Sequence, residues 1–162
     1  MDEEVSEEEF LTVHDTLTAA GFEHYEVSNY ALPGFRARHN ASYWHGTKYL
    51  GIGPAAHSLD GEERHWNASS VEKYIAGAPA GKEVLTRRDR FNEYVMTALR
   101  TVEGIDLEEA AARFGAKRLA RMQEEAAPFL RSGTLRIARG RMALPPEKFL
   151  ISDAVIGALF ET

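Results

Sequence analysis

The sequence of 162 residues contains no cysteine. This excludes disulfide bonds, a cysteine nucleophile, zinc–thiolate sites and any iron–sulfur cluster that cysteines of this chain would bind. The fold must therefore be held together by an apolar core. With 44% apolar and 27% charged residues, the composition is that of a globular protein able to form one. The length suits one domain or two small ones.

The charges are unevenly distributed along the chain. The formal net charge is −6, which argues against broad, non-specific binding of nucleic acid. Residues 1–81 and 149–162 together carry five basic and fifteen acidic residues, whereas residues 82–148 carry fourteen basic and ten acidic ones. The change near residues 79–81 predicts a boundary between two subregions. No apolar run approaches 18 residues and no signal peptide is visible, so we expect no membrane span and a cytoplasmic location.

The first subregion has the pattern of a helix followed by two strands. Ser6 and Glu9 form a capping box, and Gly21 suits the end of the helix. Residues 22–29 and 48–53 are predicted strands, the second buried through Leu50 and Ile52. The segment between them, residues 34–46, is predicted to be a loop long enough to suggest a function. This order is typical of the end of a βα domain, and we expect the chain to be a piece of a longer protein.

The second subregion is predicted to be mostly helical. Three helix starts and one hairpin turn support this prediction. Helices are expected to start at Ser69 with Glu72, at Thr86, and at Asp106 with Glu109, and the helix from Thr86 is expected to stop at Gly104. The hairpin turn is Arg139-Gly140. A further helix is expected up to Gly133 and a last one over residues 146–160. Three helices followed by a hairpin are typical of a winged-helix arrangement. The predicted fold class is therefore α/β (α+β).

The long loop concentrates residues that carry chemistry. His39-Asn40 and Tyr43-Trp44-His45 lie within seven positions of each other. A tetrapyrrole needs an imidazole to bind its iron and flat aromatic surfaces to cover its faces, and these residues supply both. Arg36 and Arg38 precede them and could pair with propionate carboxylates. A histidine among aromatic residues is also typical of simple packing, and the spacing alone leaves both interpretations open.

Three other local patterns give weaker indications. Gly51, Gly53 and Ala56 match a dinucleotide fingerprint as a string, but the following segment is too short for the helix that this fingerprint requires. We therefore expect these glycines to let the backbone pass close to a neighbour or a ligand. There is no G-x-S-x-G elbow for a serine nucleophile. Arginines in the predicted hairpin could contact nucleic acid, an alternative that the net acidity disfavours.

Three longer strings together resemble a known family. They are Glu23-His24-Tyr25-Glu26-Val27-Ser28-Asn29-Tyr30-Ala31, then Arg38-His39-Asn40-x-x-Tyr43-Trp44, then Tyr49-Leu50-Gly51-Ile52-Gly53-Pro54-x-Ala56-His57-Ser58. In order and spacing they are similar to the C-terminal half of the HemW-like radical S-adenosylmethionine haem chaperones, which resemble oxygen-independent coproporphyrinogen III oxidases. The similarity continues through Leu85-Thr86-Arg87 and the helical tail.

The resemblance implies a haem site and a place in a larger protein. His39, Asn40, Tyr43 and Trp44 match the family's haem-binding motif, with His39 as the possible ligand of the haem iron. Tyr30 and Ala31 would lie beside S-adenosylmethionine. Complete members hold a [4Fe–4S] cluster on a C-x-x-x-C-x-x-C loop that this chain lacks. We therefore expect no catalytic residue and no cluster site here, and haem as the only cofactor of this chain by itself.

The resemblance also implies a domain division and partners. Residues 1–60 would be the end of a radical S-adenosylmethionine partial barrel with its following loop, residues 61–81 a connection, and residues 82–162 a winged-helix-like domain. Expected partners are haem or porphyrin, the missing N-terminal region, and a haem-acceptor protein. An exposed strand edge would also allow self-association. The alternatives are part of a coproporphyrinogen III oxidase or a winged-helix interaction module.

Overall fold

The computed structural model describes residues 3–44, 46–79 and 81–162. His45 of the predicted aromatic loop and Ala80 of the predicted boundary lie outside these ranges. The elements are, in order, α1 (Glu3–Ala19), β1 (Glu23–Glu26), β2 (Asn29–Ala31), α2 (Arg38–Trp44), β3 (His57–Leu59), β4 (Glu63–Trp66), α3 (Val71–Ile75), β5 (Gly81–Val84), α4 (Arg87–Ala98), β6 (Ile105–Asp106), α5 (Leu107–Phe114), α6 (Ala116–Arg131), β7 (Arg136–Ala138), β8 (Arg141–Ala143), a 3-10 helix (Pro146–Ile151) and α7 (Ser152–Leu159).

The core is built by the helices that follow residue 85. Helix α4 begins with a capping box in which the Thr86 hydroxyl accepts from the Asp89 backbone and the Asp89 carboxylate accepts from the Thr86 backbone. Its apolar residues recur at helical spacing, so one face is buried. That face packs with side chains of α5, α6, α7, the 3-10 helix and the sheet. The buried set is Phe91, Val95, Ala98, Leu99, Ile105, Ala110, Phe114, Met122, Ala126, Leu135, Met142, Leu144, Phe149, Val155, Ile156 and Leu159.

A small antiparallel sheet closes this core. Its strand order is β6-β8-β7, with Ile105 opposite Met142. The turn between β7 and β8 uses Arg139 and Gly140, both at positive φ (51° and 74°), as expected for a tight hairpin turn. Gly104 precedes β6 at φ 64°, and a Cβ there would lie 2.4 Å from the Met142 carbonyl oxygen. Only glycine therefore allows β6 to approach β8 so closely.

The N-terminal elements attach to this body at two places. Strands β1 and β2 form a two-stranded antiparallel hairpin. Backbone hydrogen bonds join the β1 region to the end of α4, from Val27 N–H to Arg100 O and from Val102 N–H to Tyr25 O. On the other side, α1 packs on β1 and on the 3-10 helix. The first strand pair is therefore held between the first helix and the C-terminal body.

Strands β3, β4 and β5 form a second antiparallel sheet. The segment before β3 is tied to this sheet by side chains. The Asn67 amide donates to the carbonyl oxygens of Gly51 (3.2 Å) and Gly53 (2.9 Å), and the Tyr74 hydroxyl accepts from Gly53 N–H (3.1 Å). A Cβ on Gly51 would lie 2.0 Å from the His57 carbonyl oxygen, so the expected close backbone approach is present at this glycine.

The predicted mixture of helices and strands is confirmed, and the hairpin and the helix starts at Thr86 and Asp106 lie where the sequence placed them. The single strand predicted over residues 22–29 is wrong, because the chain turns there into the hairpin β1–β2. The predicted strand over residues 48–53 is also wrong. Only Tyr49 pairs with Leu59, while Leu50 and Ile52 are 79% and 83% exposed.

Other helix boundaries in the structure differ from those predicted. The predicted long loop contains helix α2, and the short helix α3 is capped by Ser70 rather than Ser69. The helix after Thr86 ends at Ala98 rather than near Gly104, and the last predicted helix divides into a 3-10 helix and α7. The sheet β3–β5 was not predicted. Among the described residues, no helix is both long and apolar enough to cross a membrane.

Candidate functional site

Helix α2 carries the four residues of the predicted haem motif, and none of its residues is buried. Residues four apart lie on one face of a helix, so His39 and Tyr43 are neighbours. Their side chains contact each other directly, with 3.1 Å between the His39 Nε2 and the Tyr43 hydroxyl and with the rings edge to face at 5.1 Å. The imidazole of His39 is therefore held in position by Tyr43.

A cleft of about 400 Å³ lies between α2 and α4. We call it the α2–α4 cleft. Such a volume is within the range of small-molecule sites. Four aromatic side chains line it, from α2, the segment after α2, and α4: Tyr43, Trp44, Tyr49 and Tyr94. Around them lie residues of β3, β4, α4, α5 and β8 and of the segment before β6, among them Leu59, Arg64, Arg90, Glu93, Met96, Thr97, Glu103, Glu109, Arg113 and Arg141.

The aromatic side chains of α2 continue into the cleft as a row. Tyr43 contacts Tyr49 edge to face, with ring centroids 5.0 Å apart. Tyr49 is fixed by two backbone hydrogen bonds with Leu59, 2.9 and 3.0 Å long. The row His39–Tyr43–Tyr49 thus runs from the exposed surface of α2 to a strand of the second sheet. It offers aromatic surface to a flat ligand.

Tyr94 lines the cleft from α4. Its hydroxyl donates to the Asp106 carbonyl oxygen at 3.2 Å and accepts from the Asp106 N–H at 3.1 Å. Burial, together with the nearby Glu109 carboxylate, raises the pKa of Tyr94 to about 12. The phenol is therefore neutral at physiological pH. The Arg113 guanidinium lies over its ring, 5.1 Å from the centroid.

Each of the four arginines in the cleft has a carboxylate partner. Arg64 pairs with Glu83 at 3.1 Å and with Glu93, and Arg90 pairs with Glu62 at 3.2 Å. Arg113 pairs with Glu109 at 2.7 Å and Arg141 with Asp106 at 3.0 Å. The cleft is therefore rich in charge, with acidic and basic groups interspersed.

The structure brings part of the predicted site to the cleft. Tyr43 and Trp44 line it, whereas His39 and Asn40 are exposed on α2 and are not among the lining residues. Arg36, a predicted carboxylate partner, does not line the cleft but pairs with Glu103, which does. It donates to Glu23 at 3.0 Å and Glu103 at 2.5 Å and lies over the Tyr25 ring. Arg38 is exposed beside His39 at the start of α2.

Tyr30 and Ala31, the residues predicted to contact S-adenosylmethionine, lie in a different place. Tyr30 is stacked on His24 with centroids 4.0 Å apart, and Ala31 is buried at the end of β2. His24 also has His14 beside it, with 3.0 Å between the two Nδ1 atoms, and Phe149 against its edge. Burial lowers the pKa of His24 and raises that of Tyr30. Neither Tyr30 nor Ala31 lines the α2–α4 cleft.

The donor set for an iron–sulfur cluster does not fit this chain. The sequence has no cysteine, and no group of three or more histidine, aspartate or glutamate side chains comes together as a metal site within the described ranges. The described residues therefore offer no ligand set for an iron–sulfur cluster.

Comparisons with known proteins identify relatives of this chain. The family model of the HemN C-terminal domain matches residues 85–151, the segment that contains α4 to the 3-10 helix. The protein named heme chaperone HemW from Mycobacterium tuberculosis (strain ATCC 25618 / H37Rv) is 36% identical over 98% of this chain and 40% of its own length. The chain is therefore similar to HemW proteins over nearly its whole length, and residues 85–151 match the HemN C-terminal domain. This confirms the resemblance expected from the sequence.

Two further matches extend the comparison. Heme chaperone HemW from Lactococcus lactis is also 36% identical, over 63% of this chain and 28% of that protein. Coproporphyrinogen III oxidase (HemN) from Escherichia coli, described as a radical SAM enzyme, matches with a TM-score of 0.70 over 93% of this chain and 39% of its own. Its 17% identity makes this a likeness of fold alone. The chain thus spans well under half the length of these relatives.

Several residues of the cleft were missed from the sequence. Tyr49, Arg64 and the α4 residues Arg90 and Tyr94 come from three separate segments, and no local spacing links these segments. Tyr49 lies in the quoted family string but had no assigned role. The other three look like ordinary strand and helix residues, and only the packing of α2 beside α4 brings them together.

Proposed function

We propose that this chain is the haem-handling part of a HemW-like haem chaperone, and that it binds haem or a related tetrapyrrole at the α2–α4 cleft. One observation carries the proposal: Tyr43 and Trp44 of the His39-Asn40-x-x-Tyr43-Trp44 motif line a cleft of suitable volume. The names of the relatives supply the ligand class.

In this proposal haem is the cargo, and the residues of the chain act in three ways. Tyr43, Trp44 and Tyr49 cover a face of the macrocycle with aromatic surface. His39 provides the imidazole for the iron from the edge of the cleft. Its Nε2 is engaged by the Tyr43 hydroxyl in the structure, so iron binding through Nε2 replaces that hydrogen bond. Asn40 lies next to His39 on the exposed side of α2.

The proposal also includes an assignment of the chain to two domains. We assign residues 82–162 to a winged-helix-like domain, which is supported by the order α4, β6, α5, α6, β7, β8 and by the sheet order β6-β8-β7. Residues 1–60 we assign to the end of a radical S-adenosylmethionine barrel with its following loop. Contact of Tyr30 and Ala31 with S-adenosylmethionine, delivery to a haem acceptor, and self-association through a strand edge remain predictions.

Titration of haemin into the chain tests the proposal. We expect a saturable Soret band for the wild-type chain and, for His39→Ala, a different band position with roughly tenfold weaker binding, since the iron loses its protein ligand. His57→Ala is the matched control, because His57 is an exposed histidine that does not line the cleft. Identical titrations of wild type and His39→Ala would exclude the ligand role, and absence of saturable binding would exclude the site.

A further inference from the structure

Two arginines reach the α2–α4 cleft from different elements, Arg64 from β4 and Arg90 from the first turn of α4. Their side chains are 29% and 36% exposed and line the cleft, so part of each side chain is accessible to a bound molecule. The Glu93 carboxylate, one turn along α4 from Arg90, accepts from Arg64 and holds it at the cleft.

The other acidic partners of Arg64 and Arg90 are more exposed to solvent than Glu93. The side chain of Glu62, which pairs with Arg90, is 77% exposed, and that of Glu83, which pairs with Arg64, is 47% exposed. Exposed ion pairs of this kind contribute little to stability, because solvent screens them. A carboxylate of a bound molecule can therefore replace Glu62 or Glu83 at small cost.

The second pair of arginines in the cleft is different. The Arg113 guanidinium lies over the rings of Tyr94 and Phe114, 5.1 Å from each centroid. Arg141 binds the carboxylate of Asp106, whose side chain also caps α5. These two arginines support α5 and the sheet. Arg64 and Arg90 are the pair that a ligand can engage by replacing only the exposed carboxylates of Glu62 and Glu83.

We propose that Arg64 and Arg90 are the carboxylate-binding pair of the α2–α4 cleft and take the propionate groups of a bound tetrapyrrole. The guanidinium fork matches a carboxylate with two hydrogen bonds, and the aromatic side chains of the same cleft suit the flat body of such a ligand. The inference rests on the proposed function and adds the orientation of the ligand, with its propionates toward β4 and the start of α4.

The test compares two ligands on one set of variants of the full chain. Haemin carries free propionates and haemin dimethyl ester carries none. Arg64→Gln and Arg90→Gln each weaken haemin binding by about threefold to tenfold, and the double variant weakens it by tenfold or more, because charge-assisted hydrogen bonds are lost. Binding of the dimethyl ester is unchanged in all three variants. Arg88→Gln, on the same helix but outside the cleft, changes neither.

The outcomes separate this inference from the proposed function. Equal haemin binding by the wild-type chain and the double variant, or equal losses with haemin and its ester, would overturn the arginine assignment while leaving the haem site in place. If the wild-type chain bound neither compound, both would be overturned. Arg64→Lys keeps the charge without the fork and should fall between wild type and Arg64→Gln. Circular dichroism of each variant confirms that it is folded.

Discussion

Two regions of this molecule differ in how they are held together. From residue 85 onward, seventeen apolar side chains are buried, and sixteen of them form one cluster. In the described part of residues 29–84, Ala31 is the one buried apolar side chain, and Phe35, Leu50, Ile52 and Ile75 are more than three quarters exposed. The first region is held by a core, and the second by short strand pairs and side-chain hydrogen bonds.

This difference between the two regions concerns the candidate haem site. The predicted haem motif lies in the region without a core, on a seven-residue helix that buries none of its side chains. Segments with few buried contacts open at low free energy, and binding sites are often found in them. The cleft combines both kinds of structure, with a firm wall on α4 and a loosely held wall on α2.

The largest effect is expected in the core. Phe91→Ala removes a side chain that is 1% exposed and packs edge to face on Phe114 at 5.3 Å. The substitution should lower the free energy of unfolding by about 3–5 kcal/mol, because it leaves a cavity. Urea denaturation followed by circular dichroism measures this. A loss below about 1 kcal/mol would show that the core repacks and that the contrast between the regions is overstated.

A smaller effect is expected where the first helix joins the body, and it depends on pH. Because burial lowers the pKa of His24, the unfolded chain binds a proton near pH 6.5 that the folded chain does not. The free energy of unfolding should therefore fall as the pH drops below about 6.5, by at most about 1.4 kcal/mol per pH unit from this residue.

The His24→Phe variant isolates this contribution. It keeps an aromatic ring between Tyr30 and Phe149 and removes the titrating group, so its stability should depend less steeply on pH than that of the wild-type chain. Denaturation curves at pH 7.5 and 5.5 for both proteins provide the measurement. Parallel pH dependence in the two proteins would rule out His24 as the cause.

The smallest effect on stability is expected on α2. Tyr43→Ala truncates an aromatic side chain as Phe91→Ala does, but Tyr43 is 41% exposed and its ring contacts are those with His39 and Tyr49. We expect a loss below about 1 kcal/mol in the free energy of unfolding, together with weaker haemin binding. A loss as large as that of Phe91→Ala would mean that α2 is part of the core after all.

The same contrast explains how much the sequence could predict. The helices that begin at Thr86 and Asp106 were predicted because their signals are local: a capping residue, a partner three positions later and an apolar stripe. The hairpin turn at Arg139-Gly140 was predicted for the same reason. The helix α2 was missed because its seven residues show no apolar stripe, since none of them is buried.

Predictions failed where tertiary contacts replace local signals. Leu50 and Ile52 were expected to be buried in a strand, but Asn67 and Tyr74 hold the surrounding backbone through side-chain hydrogen bonds, and both apolar side chains remain exposed. The motif residues of the candidate site were indicated by their clustering in one loop and by the family resemblance. The arginines and Tyr94 of the cleft were not, because residues between 43 and 141 meet there only in the folded chain.

The attachment of α1 has a consequence for the order in which the chain can fold. His24, on the strand after α1, packs against Phe149 of the 3-10 helix, more than 120 positions further along the chain. Contacts between such distant positions form late, because closing a long loop costs entropy before any contact is gained. During synthesis His24 therefore lacks its contact with the 3-10 helix until the polypeptide has been extended beyond residue 149.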